Sequence, residues 1–131
     1  ARTREAVQRF GFERETNDWR EVLADPEVEV VSITAPNWLH REMCLAALRA
    51  GKHVFCEKPP GRDLADVTRV MACESRHSGL KLKYGFNHRY HDSVRDALDL
   101  IVSGELGRMV NLRGLYGKSM LISFCFPMFA L

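Results

Sequence analysis

A chain of 131 residues, 46% of them hydrophobic and 27% charged, is long enough for one domain with a buried core and has the make-up of an ordinary globular protein. Its net charge of +2 is small, and Arg2, Arg4, Arg9, Arg14 and Arg20 are interleaved with acids, so nothing resembles a nucleic-acid footprint. No Cys-x-x-Cys pair occurs among Cys44, Cys56, Cys73 and Cys125, which predicts buried, reduced thiols of a cytoplasmic protein.

Residues 1–10 are charged and helical in pattern rather than a secretory signal, and the absence of an initiator methionine fits a chain cut from something longer. The helix tail over 4–9 is closed by Gly11. Asp18 is expected to cap a short helix through Leu23, which Asp25-Pro26 ends. Residues 28–34 (Val-Glu-Val-Val-Ser-Ile-Thr) read as a strand covered on both faces. Asn37 is the expected N-cap of the next helix, which places Leu39, Met43, Ala46, Ala47 and Ala50 on one face and Gly51 just past its end.

A second strand is expected over 53–57. Asp63 then caps a helix with an apolar stripe of Leu64, Val67 and Met71, stopped at Gly79. Residues 80–86 read as the third strand. After Asn87-His88-Arg89-Tyr90-His91 comes a helix with Val94, Leu98, Ile101 and Val102 on one side, ended by Gly104. Residues 109–117 partly alternate, with Val110, Leu112 and Tyr116 opposite Asn111 and Arg113, which predicts a strand with one wet face. Residues 120–131 hold no charge and are too few to span a bilayer, so no membrane partner is expected. The alternation of strands and helices predicts an α/β fold with a parallel sheet.

Right-handed crossovers would bring the ends of the three strands to one sheet edge: Thr34-Ala35-Pro36-Asn37, Glu57-Lys58-Pro59 and Asn87-His88-Arg89. Ligands of open α/β sheets bind at that edge. Lys58 could donate there to a substrate hydroxyl and steady charge on oxygen as a carbonyl forms. The bland alternative is a surface lysine in a turn. His88-x-x-His91-Asp92 suggests metal ligands only weakly, since it precedes a helix cap and no third cluster is near; no metal is expected.

The run Ala35-Pro36-Asn37-x-x-His40, then Ala50-Gly51-Lys52-His53-Val54 and Glu57-Lys58-Pro59, resembles the Gfo/Idh/MocA family of nicotinamide-dependent sugar and polyol dehydrogenases. Gly85-Phe86-Asn87-His88-Arg89-Tyr90 and Ser103-Gly104-Glu105-Leu106-Gly107 continue the likeness, which covers about residues 1–119. The stretch 84–119 is similar to members that oxidise nucleotide-linked amino sugars. The resemblance implies a partial Rossmann-type sheet lacking its first βαβ unit, followed by the start of an α+β domain. Residues 1–89 would be the C-terminal part of a dinucleotide-binding domain, 90–119 the first helix and strand of a substrate and oligomerisation domain, and 120–131 an aberrant or truncated tail.

The same resemblance implies NAD or NADP as cofactor and a sugar, polyol or nucleotide-sugar as substrate, with the full-length protein a homo-oligomer. It places Lys58 between nicotinamide and substrate as the catalytic residue, and Glu57 and Pro59 in the cofactor pocket. Thr34, Ala35, Pro36, Asn37 and His40 would line the dinucleotide, and Asn87 and Arg89 would approach the nicotinamide side. The family's glycine loop and ribose-binding acid, in a unit of roughly 30 or more residues, have no counterpart here, nor has its later Asp-x-x-x-His helix. The expectation is therefore a fragment that is inactive alone. Two other readings remain: a phosphate-receiving signalling domain, which lacks the aspartate it needs at the end of 28–34, and a non-catalytic interaction module built from half a nucleotide-binding domain.

Overall fold

The computed structural model describes residues 2–114, and the chain divides into two compact units, the first ending at Asn87 and the second starting at His88. In the first unit the order is α1 (Arg2–Phe10), α2 (Trp19–Ala24), β1 (Val30–Ile33), α3 (Asn37–Arg49), β2 (His53–Cys56), α4 (Leu64–Glu74) and β3 (Leu82–Tyr84). The three strands form a parallel sheet in the order β1-β2-β3, so each helix between strands is a crossover. This is the α/β architecture expected from the alternation of elements.

Register sorts the side chains. Val31 pairs with Val54, Ile33 with Cys56, Val54 with Leu82 and Cys56 with Tyr84, and these residues are buried or half-buried on one face. Cys44, Ala47 and Leu48 of α3 and Val70 and Cys73 of α4 complete that core. The opposite face carries Val30, Ser32, Phe55 and Lys83, all exposed. Residues 28–34 therefore differ from expectation: the strand is covered on one face among the described residues, because both crossover helices lie on the same side.

Local signals place the helix ends well. Gly11 and Gly51 adopt φ of 70° and 76° just past α1 and α3, a backbone that favours glycine. Asp18 caps α2 by accepting from Arg20 N at 3.0 Å, and Asp63 caps α4 by accepting from Asp66 N at 2.8 Å. At α3 the expectation fails: Pro36 holds the cap position without a side-chain bond, and Asn37 is the first helical residue.

The buried faces also differ from the apolar stripes. α3 buries His40, Cys44, Ala47 and Leu48, and α4 buries Asp66, Val70 and Cys73, while Leu64 and Met71 are 80% and 60% exposed. Polar side chains with dedicated partners occupy positions that a hydrophobicity pattern assigns to solvent. Asp66 accepts from Arg41 Nη1 at 2.8 Å and Arg62 Nε at 2.9 Å, tying α3, α4 and the loop between β2 and α4 together. Hydrogen bonding from Arg62 holds its carboxyl well below the usual carboxylate range, against the opposing effect of burial. Lys52 is buried in front of β2, and its Nζ donates to the Asp25 carbonyl at 2.8 Å.

The second unit begins inside the 3-10 turn Asn87–Tyr90 and contains α5 (Asp92–Val102). None of the α5 residues is buried, and Val94, Leu98 and Val102 of its apolar side are exposed. Residues 109–114 form no strand, where alternation predicts one; a ladder needs a paired neighbour, and none lies alongside among the described residues. Residues 115–117 of that expected strand, the 120–131 segment and Cys125 lie outside the described residues.

Candidate functional site

The parallel ladder continues past the strand ends and brings the following segments together. Glu57 N donates to Ile33 O at 2.9 Å, and Gly85 N donates to Cys56 O at 2.9 Å. The chain thus leaves β1, β2 and β3 at one edge, carrying Thr34–Asn37 in order from β1, Glu57-Lys58-Pro59 from β2, and Gly85, Phe86 and Asn87 from β3.

Glu57 is half-buried, and its Oε2 accepts from Lys58 N at 3.0 Å. Its carboxylate lies against Gly85 so closely that a Cβ on that glycine would stand 3.1 Å from both oxygens. Sequence reading missed Gly85 as part of the site; the signal was a glycine at a strand end, which marks a close approach. Lys58 is exposed, and no carboxylate lies within ion-pair distance of its ammonium among the described residues. The Lys58-Pro59 peptide bond is cis.

His40, one turn into α3, is 2% exposed. Its Nε2 lies 2.7 Å from the Ala35 carbonyl oxygen and its Nδ1 2.8 Å from that of Pro59. The ring therefore stands behind both loops and presents neither nitrogen outward, which differs from a direct lining role. Thr34 and Pro36 are exposed, while Ala35 is half-buried. Asn37 is half-buried, and its Oδ1 is enclosed without a hydrogen-bond partner among the described residues. Asn87 is exposed at the end of the first unit, whereas Arg89 belongs to the second.

Beneath the loops sit two thiols and a phenol. A hydrogen bond from Cys44 draws the Cys56 thiol below its ordinary pKa; burial and Glu57 oppose this, and His40 assists it. The same hydrogen bond, with burial, pushes Cys44 up. Burial first, then the neighbouring thiols, raises the Tyr84 phenol. Cys44, Cys56 and Cys73 are free and buried. His88 and His91 have ring centroids 4.7 Å apart, but the described residues contain no group of three or more potential metal ligands.

Residues 1–86 match the model of the Gfo/Idh/MocA oxidoreductase family, described as having an NAD-binding Rossmann fold. Levoglucosan dehydrogenase of Pseudarthrobacter phenanthrenivorans is 40% identical over 112 residues, covering 86% of this chain and 28% of that protein. Inositol 2-dehydrogenase of Salmonella typhimurium is 36% identical over 114 residues, covering 86% and 34%. The solved complex of levoglucosan dehydrogenase with NADH and levoglucosan superposes with a TM-score of 0.76 at 39% identity, over 81% of this chain and 28% of that one. The chain spans about a third of the length of the curated relatives it matches. Shared sequence and shared topology thus converge on one conclusion: this chain belongs to the Gfo/Idh/MocA family of oxidoreductases with an NAD-binding Rossmann fold.

Proposed function

We propose that this chain supplies part of the nicotinamide side of an NAD site, in an oxidoreductase that moves a hydride between a sugar or polyol carbon and the cofactor. The observation that carries this reading is the gathering of residues 34–37, 57–59 and 85–87 at the carboxyl edge of a parallel sheet. The residues suit the cofactor. The enclosed, unpartnered Asn37 Oδ1 is an acceptor matched to a ribose hydroxyl, and it stands at the positive end of a helix. Bound nicotinamide would supply the hydride chemistry.

The chain's own residues orient and polarise. Lys58 donates from its exposed ammonium to the substrate hydroxyl oxygen and steadies the negative charge there, while the hydroxyl proton passes to solvent water and the hydride to the cofactor. Glu57, wedged against Gly85 and bonded to Lys58 N, fixes the turn from which that lysine extends. Thr34, Ala35, Pro36, Asn37, Pro59 and Asn87 form the wall. The names of the relatives, levoglucosan and inositol dehydrogenases, support a polyhydroxylated substrate. A nucleotide-linked amino sugar is a narrower version of the same proposal, supported by the resemblance over 84–119.

Amide shift mapping during titration with NAD tests the site. Changes are expected at residues 34, 35, 37, 57, 58 and 87. Lys58→Ala should leave stability within about 0.5 kcal/mol, as for an exposed side chain, and weaken the response to added polyol. Shifts that cluster elsewhere, or none at millimolar NAD, overturn the reading. Repeating the titration with inositol, levoglucosan and a nucleotide-linked amino sugar separates the substrate classes.

A further inference from the structure

His40 presents a donor-counting problem. Both ring nitrogens lie within 2.8 Å of carbonyl oxygens, Nε2 on Ala35 and Nδ1 on Pro59, and the side chain is 2% exposed. Carbonyl oxygens only accept. A neutral imidazole has one N–H, so one of these two contacts would set a nitrogen lone pair against an oxygen lone pair. No water can intervene at these separations, and no rotation satisfies both contacts with one proton. Only the doubly protonated ring makes two hydrogen bonds here, each charge-assisted.

We infer that His40 is held as an imidazolium that donates to both loops at once, clamping the segment after β1 to the segment after β2. It is thus a positioning residue. It touches neither reacting carbon, but it fixes the separation between Ala35, two residues before the enclosed Asn37 amide, and Pro59, the residue after Lys58. The inference deepens the function proposed above and rests on it for its meaning; the protonation state does not. A merely structural histidine would need one donor. This one needs two.

Long-range 1H–15N correlation of the histidine side chains at neutral pH tests it. The expected result is one ring with both nitrogens of the protonated type and two slowly exchanging N–H protons, showing contacts to residues 35 and 59. A single-tautomer ring, or a His40 that titrates like a free imidazole with no protected N–H, overturns it. In the same samples, His40→Phe should shift the amides of 35, 37 and 58 together and weaken NAD binding at least tenfold. If NAD affects neither protein while the two N–H protons persist, the clamp stands and the cofactor reading falls. If NAD binds equally to both, the clamp has no positioning role and the inference fails on that point.

Discussion

Gly85 leaves a space at the end of β3 that the Glu57 carboxylate fills, with an added Cβ meeting both oxygens at 3.1 Å. That contact is tighter than van der Waals packing permits without movement, and Glu57 is pinned by Lys58 N on its other side. Gly85→Ala should therefore cost about 1–3 kcal/mol, the usual penalty for overpacking. A urea melt together with the Lys58 amide shift checks this; an unchanged melt and an unmoved resonance would mean that the carboxylate is not wedged. Lys58 and Glu57 were legible from sequence, because a charged pair stopped by proline after an apolar run marks a strand edge. The role of His40 was not, because a histidine's partners are carbonyls contributed by residues 5 and 19 positions away. No local pattern encodes them.

The helices show how far periodicity reaches. Two of the three expected caps were readable: Asp18 and Asp63 make the bonds their positions promise, whereas Asn37 is displaced from the cap position by Pro36. Faces were not, because α4 turns a carboxylate inward and leaves Leu64 and Met71 outside. Asp66 is neutralised by two guanidinium groups, one on α3 and one from the preceding loop, which are brought together only by the fold. Gly61 belongs to the same arrangement, since a Cβ there would come within 2.7 Å of the Asp66 Cβ. The Asp66 carboxyl is held low in the folded chain, so the unfolded chain binds its proton more readily. Its stabilisation is present above the ordinary aspartate value of about 3.9 and is lost as pH falls below that. Asp66→Asn should lower the urea midpoint at neutral pH and flatten the acid limb of a midpoint-against-pH curve. Parallel acid limbs in the two proteins would remove Asp66 from that account.

Three parallel strands with both crossover helices on one side leave β1 at the end of the described sheet, with Val30 61% exposed. An apolar groove of about 320 Å3, lined by residues including Val22, Leu23, Val31, Ile33 and Met43, lies beside it. A strand edge of this kind is a template for pairing with another chain. Val30→Lys should reduce concentration-dependent association in sedimentation velocity without lowering the melt; unchanged association would place the contact elsewhere. The parallel topology was legible because strands and helices alternate. The uncovered face was not, because the side a right-handed crossover helix takes follows from the order of the strands in the sheet, which the strand's own residues do not carry. One last feature turns this architecture into a chemical reporter. The Lys52 ammonium, enclosed and engaged by Asp25, joins the start of β2 to a loop 27 residues earlier. An acylating reagent should mark Lys58 promptly and spare Lys52 until the whole first unit opens, so peptide mass spectrometry of the two amines would time that opening from within.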